Sequence, residues 1–320
     1  MVVVTRIHRV ATDRTRRARL LHPTVGCLGS HGCSSTGGLV ESFSGKVAVV
    51  TGAASGIGQA LCTAFAAEGM RLVLADVESV ALEEAATELR HGGADVFAVT
   101  ADVSIPADVD RIATAAMDVY GALHVACNNA GVSGGGLSWE IDLETWRWIL
   151  DVDLWGVIHG VRSFTPLIIA SGGGHIVNTA SMAGLTSNPG MSPYNVAKHG
   201  VVTLSETLYV ELQMTHPEVG VSVLCPGWVR TRINESERNR PDQPEAPTGE
   251  AAESLNAIKE MVAGWIAEGL QPAYVASLVV DAVRNDRFWV LTHPEWQGMV
   301  RDRVERMLAG EAPFAQLPSN

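Results

Sequence analysis

The stretch KVAVVTGAASGIG, residues 46–58, decides the fold of this 320-residue chain. Its first half, 46–51, is a short run of mainly β-branched apolar residues, which is typical of a strand buried on both faces. Gly52 ends the run, and apolar residues then recur at helical spacing from Gly56 to Gly69. The pattern therefore predicts a strand, a glycine-rich turn and a helix in direct succession.

The glycine-rich turn has the features of a dinucleotide-binding loop. Gly52 permits a tight turn, Gly56 removes a side chain that would hold a pyrophosphate away, and Gly58 lets helix and strand approach closely. The helix start at Ser55 and Ile57 offers free N–H groups and a partial positive charge to phosphate. A glycine triplet alone is a weak signal, but here it lies between a predicted strand and a predicted helix, as the motif requires.

The alternation of short apolar runs and helical periodicity continues to residue 227. It predicts strands at 46–51, 71–77, 122–131, 175–181 and 221–227, a further strand at the start of 95–103, and helices at 56–69, 79–91, 106–120, 143–170 and 192–215. Strand and helix alternate, so right-handed crossovers should join the strands into a doubly wound parallel sheet with helices on both faces. In such a sheet, ligands bind beyond the carboxyl ends of the strands.

The regular alternation ends after residue 231. Residues 232–253 are polar and carry three prolines, which indicates a loop. Helices are predicted at 251–268, 272–284 and 294–309, with a further strand at 287–292.

Charge and composition exclude several classes of protein. The net charge of −12 repels phosphate, so nucleic acid and anionic membrane are not expected partners. The sequence contains no run of eighteen or more apolar residues, so it predicts no transmembrane helix. The five cysteines, an odd number without a CxxC pair, favour neither a disulfide framework nor a metal site, and we expect no metal and a cytoplasmic location.

Residues 1–41 differ from the rest in composition, since 1–40 hold six arginines and one aspartate. We expect a disordered extension or a start codon placed too early, because residues 22–38 are too polar for a signal sequence. A mitochondrial-type transit peptide is the alternative interpretation.

Tyr194 and Lys198 lie four residues apart near the start of a predicted helix, so their side chains share a face. A phenol has an unperturbed pKa of about 10, and a nearby ammonium is expected to lower that pKa. The pair would then form a usable general acid and base. Ser181, at the end of the preceding strand, could bind a substrate oxygen, although a serine in that position alone is more often a capping residue.

Asp76 ends the second strand, eighteen residues after Gly58. A carboxylate there can accept hydrogen bonds from the adenosine ribose of NAD and would repel the 2′-phosphate of NADP. The glycine loop contains no Arg or Lys, and Val77 follows Asp76. These features favour NAD as the cofactor.

Together these residues resemble the short-chain dehydrogenase/reductase family over roughly residues 43–293. The resemblance is carried by TGAASGIG at 51–58, Asp76, Asp102, NNAG at 128–131, Ser181, YNVAK at 194–198 and PGWVRT at 226–231. It implies a single Rossmann-type domain with about seven strands and hydride transfer at nicotinamide. We therefore expect a dehydrogenase domain at 42–293, a substrate lid at about 232–268, and a C-terminal helix and tail at 294–320.

The resemblance also implies a role for each matching residue. Tyr194 would be the acid/base, Lys198 would bind the nicotinamide ribose, and Ser181 would orient the substrate oxygen. The remaining cofactor contacts would come from Asp102 and Val103 at the adenine, Asn129 and Gly131 in the channel, and Pro226, Gly227, Val229 and Thr231 at the nicotinamide. The family assembles as homodimers or homotetramers through its two long helices, here 143–170 and 192–215.

One position departs from the family pattern. The family's fourth catalytic residue is an asparagine that holds a water relaying protons to the lysine, and the matching residue here is Asp153. Asp153 could serve through its backbone carbonyl, but its carboxylate would add negative charge near Lys198. We expect activity to survive with an altered proton relay and pH dependence.

The expected substrate pocket lies above Ser181 and Tyr194 and includes Met182, Met191 and Trp228. Few basic residues are near this region in the sequence, so a hydrophobic secondary alcohol or ketone is favoured over a highly anionic substrate. The leading hypothesis is an NAD-dependent alcohol dehydrogenase. An NADP-linked ketoreductase and a catalytically silent NAD-binding module are the alternatives.

Overall fold

The computed structural model describes residues 42–241 and 260–315. Outside them lie the predicted N-terminal extension, the middle of the predicted lid and the first half of the predicted helix 251–268. None of the helices in the described ranges is long and apolar enough to cross a membrane.

The described residues form one parallel seven-stranded sheet in the order β3-β2-β1-β4-β5-β6-β7. The strands are β1 Val47–Thr51, β2 Arg71–Asp76, β3 Val96–Thr100, β4 Val125–Asn128, β5 Gly174–Thr179, β6 Val219–Cys225 and β7 Trp289–Leu291. The strand order reverses between β1 and β4, which creates the crevice where ligands bind in sheets of this kind. The predicted doubly wound parallel sheet is confirmed.

Helices cover both faces of this sheet. They are α1 Gly56–Ala67, α2 Ser79–His91, α3 Pro106–Tyr120, α4 Leu143–Leu150, α5 Gly156–Ala170, α6 Ser192–Thr215, α7 at 260–268, α8 Pro272–Arg284 and α9 Gln297–Ala309. Successive strand residues point to opposite faces. Val50 therefore packs in one core with Phe65 of α1, and Val49 packs in the other with Phe164 of α5.

The helix predicted at 143–170 has the right extent but is not regular. A π-helical turn, Asp151–Trp155, separates α4 from α5. Such turns insert one extra residue into a helix and are frequent at functional sites. Here the turn carries Asp153, whose side chain is directed into the protein and accepts a hydrogen bond from the Val132 N–H at 2.7 Å.

Two further predictions need correction. The strand predicted at 122–131 is shorter, because the residues that follow Asn128 leave the sheet and lie at its carboxyl edge, as do the residues after Thr100. Residues 232–241 are not a plain loop but contain the 3₁₀ helix Ile233–Asn239. That helix ends at the buried Arg240, whose guanidinium donates to the Thr145 hydroxyl at 2.7 Å.

Candidate active site

The glycine-rich turn after β1 leaves no room for side chains. A Cβ at Gly58 would overlap the Gly52 carbonyl oxygen, and one at Gly52 would lie 2.8 Å from the Ala130 Cα. Gly52 and Gly56 also have positive φ values, +67° and +57°, which favour glycine. Ser55 precedes α1 without capping it through its side chain, so the first-turn N–H groups are free to bind an anion.

Thr51 ties the glycine turn to the end of β4. Its hydroxyl oxygen accepts hydrogen bonds from the Asn129 N–H at 2.9 Å and the Ala130 N–H at 3.1 Å, while the Asn129 side chain donates to the Thr51 carbonyl at 3.0 Å. Sequence reasoning did not select Thr51, although it begins the motif. Gly131 follows this junction, and a Cβ there would lie 3.5 Å from the Lys198 Nζ.

Asp76 lies beside the glycine turn, as the sequence predicts. Its carboxylate accepts hydrogen bonds from the Ala54 N–H at 2.9 Å and from the Glu78 N–H at 3.0 Å. Burial raises the pKa of Asp76 and these two hydrogen bonds oppose the rise. Asp102 occupies the equivalent place after β3, where it accepts from both the N–H and the hydroxyl of Ser104. Val103 is buried, and its side chain lies against Gly156.

Ser181, Tyr194 and Lys198 come together at the carboxyl end of β5. The Ser181 hydroxyl forms a hydrogen bond with the Tyr194 phenol. The Lys198 Nζ lies 5.5 Å from the Tyr194 ring centroid and donates to the Thr179 carbonyl oxygen at 3.1 Å. The predicted trio is thus assembled, and Thr179 is a further member that its sequence position did not reveal.

Asp153 is fully buried beside this trio, with Oδ2 lying 3.7 Å from the Lys198 Nζ. The structure thus directs the side chain of Asp153 toward the lysine. Burial raises the pKa of Asp153 to about 6, while Lys198 and the Val132 N–H oppose that rise.

The pKa of Tyr194 is raised, first by burial and then by the negative charge of Asp153, while the Ser181 hydrogen bond opposes the rise. The expectation that Lys198 lowers this pKa is therefore wrong for the described arrangement. The largest cause is burial, which disfavours the charged phenolate, and the Asp153 carboxylate, which lies next to the ammonium, adds to it.

The segment after β6 completes the site. The Pro226 carbonyl oxygen accepts hydrogen bonds from the Ser181 hydroxyl at 3.4 Å and from the Met182 N–H at 2.9 Å. Gly227 N–H donates to the Thr292 hydroxyl at 3.1 Å, and Thr231 lies against Gly56, whose Cβ would be 3.0 Å from the threonine methyl group. The segment therefore connects the catalytic candidates to the glycine turn.

Comparison with known proteins agrees with this geometry. The family profile for short chain dehydrogenases matches residues 46–242. The chain belongs to the short-chain dehydrogenase/reductase family. It binds a nucleotide cofactor as an oxidoreductase of that family.

A solved short-chain dehydrogenase/reductase from Burkholderia phymatum in complex with NAD is 42% identical and superposes with a TM-score of 0.83, covering 87% of this chain and 99% of that one. The CLA biosynthesis dehydrogenase/reductase of Lactiplantibacillus plantarum is 33% identical over 86% of this chain and 97% of its own length. The 1-deoxy-11-beta-hydroxypentalenate dehydrogenase of Streptomyces exfoliatus is 36% identical over 81% and 87%.

The dehydrogenase places an aromatic cluster next to Met182. Trp228 contacts Trp265 of α7 at a ring-centroid distance of 5.2 Å and Trp296 at 6.4 Å, and His293 stacks on Trp296 at 4.4 Å. Trp228 and Met182 were named from the sequence as pocket residues, whereas Trp265 was included only as part of the predicted lid. Met191 lies apart from this cluster, where its backbone pairs with Gly136.

The first described part of the predicted lid, residues 232–241, is held at two strand ends. The Ser236 hydroxyl oxygen accepts a hydrogen bond from the Ser133 N–H at 3.0 Å, and the Arg238 guanidinium lies 2.6 Å from a Glu78 carboxylate oxygen. Asn239 also donates to Glu78, at 3.0 Å. Arg238 thus brings a cation to Glu78, two residues after Asp76, which the sequence order did not indicate.

Proposed function

We propose that this protein is an NAD(H)-dependent dehydrogenase that interconverts a hydrophobic secondary alcohol and its ketone. The observation that carries the proposal is the convergence of Ser181, Tyr194 and Lys198 beside the dinucleotide-type turn. A bound nicotinamide would accept hydride from the carbinol carbon in oxidation and return it in reduction.

The chain's own residues handle the proton and the substrate oxygen. The Tyr194 phenolate oxygen takes the hydroxyl proton of the alcohol, and in reduction the phenol returns a proton to the carbonyl oxygen. The Ser181 hydroxyl donates to the same oxygen and stabilises its developing negative charge. Lys198 and Asp153 set the electrostatic field around Tyr194.

NAD is favoured over NADP by the carboxylate of Asp76. Its position at the end of β2, bonded to the glycine turn through the Ala54 N–H, suits hydrogen bonding to ribose hydroxyls and opposes a 2′-phosphate. The cation that approaches, Arg238, is paired with Glu78. The remaining cofactor contacts are assigned to Gly52, Ser55, Gly56, Ile57, Gly58, Asp102, Val103, Asn129, Gly131, Tyr194, Lys198, Pro226, Gly227, Val229 and Thr231.

The aromatic cluster favours a hydrophobic, ring-containing substrate. The Met182 N–H donates to the Pro226 carbonyl that Ser181 also contacts, and Trp228 packs in the same apolar cluster as Met182. A substrate oxygen at Ser181 would therefore place its carbon skeleton near apolar side chains. One relative is named as a 1-deoxy-11-beta-hydroxypentalenate dehydrogenase, whose named substrate carries a hydroxyl group, as the proposed substrate does.

Turnover with a matched pair of tyrosine variants tests the proposal. The protein is incubated with NAD and a panel of cyclic and aromatic secondary alcohols, and NADH absorbance is followed. Tyr194→Phe should abolish NADH formation and retain NADH binding. Tyr209→Phe, on the same helix but packed against Phe288, should retain both. NADH binding without turnover of any alcohol or ketone would favour the silent binding module, and turnover with NADP alone would favour the ketoreductase.

The same proposal includes a homodimer or homotetramer. Apolar side chains are exposed along the two long helical segments, with Trp155 50% exposed, Val210 56% and Met214 80%. A second copy would remove this surface from water. Light scattering after size exclusion should give a dimer or tetramer mass, and Val210→Glu should reduce it, whereas a monomer at all concentrations would contradict the assignment.

A further inference from the structure

The carboxylate of Asp153 is buried with only half of its hydrogen-bonding capacity used. Its Oδ1 accepts from the Val132 N–H at 2.7 Å, while Oδ2 has no hydrogen-bond partner among the described residues. The residue has no exposed surface. An uncompensated charge in such a place is costly, so the nearby ammonium of Lys198, 3.7 Å from Oδ2, is the group that makes an ionised Asp153 tolerable.

Lys198 is therefore shared between two groups. Its Nζ faces the Asp153 carboxylate on one side and lies 5.5 Å from the Tyr194 ring centroid on the other, while its hydrogen bond to the Thr179 carbonyl holds it between them. A positive charge stabilises a phenolate, but a negative charge beside it cancels much of that effect. The described ionisable groups that face Asp153 are Lys198 and Tyr194, both on α6, and the loop after β4 contributes the Val132 N–H.

We infer that Asp153 is a positioning residue that offsets the charge of Lys198, keeps Tyr194 protonated at neutral pH and moves alcohol oxidation to alkaline pH. The inference rests on the proposed function, because it takes Tyr194 as the acid/base. Beyond the proposed function, it gives a charge-setting role to Asp153, which occupies the position where the family has asparagine.

The proton balance gives this arrangement a direct consequence. Ketone reduction needs the neutral phenol, which gives its proton to the carbonyl oxygen as hydride arrives at the carbonyl carbon. Alcohol oxidation needs the phenolate, which takes the hydroxyl proton as hydride leaves. The equilibrium between alcohol and ketone is unchanged, but at neutral pH the protein is held in the protonation state that serves reduction.

Asp153→Asn removes the negative charge but keeps the hydrogen bond, because the amide oxygen can still accept from the Val132 N–H. Rates of cyclohexanol oxidation with NAD and cyclohexanone reduction with NADH are measured across pH. The acid limb of the oxidation profile should move about one unit or more to lower pH, with up to about tenfold faster oxidation near neutrality. An oxidation profile identical to that of the unaltered protein would overturn the inference.

The protonation of Tyr194 is also measured without turnover. NMR of protein labelled at the tyrosine Cζ follows the four tyrosines through a pH titration, and Tyr194→Phe assigns the signal. Asp153→Asn should bring the ionisation of Tyr194 to lower pH. Asp153→Ala should do the same but also lower the melting temperature, because it loses the Val132 hydrogen bond.

These outcomes separate the two proposals. Unchanged Tyr194 titration in both Asp153 variants would refute the charge-setting role, even in an active dehydrogenase. A shifted titration in a protein that turns over no alcohol or ketone would instead support that electrostatic role and contradict the proposed activity.

Discussion

The guanidinium of Arg238 donates a hydrogen bond to the Glu78 carboxylate at 2.6 Å, although 160 positions separate the two residues in the chain. Glu78 follows β2, whereas Arg238 follows β6, and β1, β4 and β5 lie between these strands in the sheet. The segment after β6 therefore runs along the carboxyl edge, past the crevice between β1 and β4, and is fastened at its far side. This pair holds residues 232–241 of the lid at Glu78, two residues after Asp76.

Arg238→Gln should weaken NADH binding, because the ion pair that fastens this segment is lost. An ion pair of this exposure contributes up to about 1 kcal/mol, so we expect an affinity loss of about fivefold or less and faster release. Stopped-flow NADH fluorescence measures both. Arg147→Gln, which removes an exposed pair with Glu144 on α4, is the matched control and should leave release unchanged. Equal release rates in all three proteins would show that the pair does not hold the segment.

Glu78→Gln breaks the same ion pair but should also change the cofactor preference, which Arg238→Gln should not. It frees the Arg238 guanidinium, which can then attract the 2′-phosphate of NADP. We expect the ratio of kcat/KM for NADP to that for NAD to rise in Glu78→Gln and not in Arg238→Gln. A fall in that ratio, or an equal rise in both variants, would show that Arg238 does not reach the phosphate.

Asp76→Ala should narrow the preference for NAD over NADP, because the carboxylate that accepts from ribose hydroxyls and opposes the 2′-phosphate is removed. The ratio of the two kcat/KM values is the measurement. Since the Asp76 carboxylate also accepts from the Ala54 N–H, the loss should include weaker NAD binding. Asp95→Ala, at the opposite end of the sheet, serves as the control, and no change of ratio in Asp76→Ala would refute the NAD assignment.

The features that the sequence predicts well are those set by local pattern. The glycine turn, Asp76, Ser181 and the Tyr194–Lys198 spacing all follow from residues next to one another on a strand end or a helix turn, and the parallel sheet follows from the alternation of strands and helices. The parallel sheet then brings their strand ends to a common edge, which is why the sequence-based site is largely assembled.

What the sequence did not predict depends on side chains that meet across the fold. The pairing of Glu78 with Arg238 and the contact of Trp228 with Trp265 involve residues on separate elements, and the π-turn at Asp153 brings that carboxylate to Lys198 on another helix. The pKa of Tyr194 is the instructive case. The spacing to Lys198 suggested a lowered value, but burial and Asp153, 41 positions earlier, reverse its direction.

Gly58→Ala should abolish nucleotide binding and destabilise the fold, because the added Cβ would overlap the Gly52 carbonyl and force α1 away from β1. Overpacking of this kind costs about 1–3 kcal/mol. Thermal unfolding with and without NADH measures both effects. Gly298→Ala, on α9 where nothing lies within 4 Å of an added Cβ, is the control and should be neutral or stabilising. Full NADH binding by Gly58→Ala would mean that the close approach is dispensable.

Trp265→Leu should raise KM for ring-containing alcohols more than for 2-butanol. The reason is that Trp265 supports Trp228, at a centroid distance of 5.2 Å, and Trp228 lies two residues from the Pro226 carbonyl that contacts Ser181. Without that support, a bulky substrate should lose an aromatic contact worth about 0.5–1.5 kcal/mol. Its KM should rise roughly two- to tenfold, while kcat for the small alcohol is retained. Trp139→Leu, at a tryptophan that is 79% exposed, controls for the loss of an indole. If both alcohols are affected equally, α7 supports the site as a whole and does not select the substrate's ring.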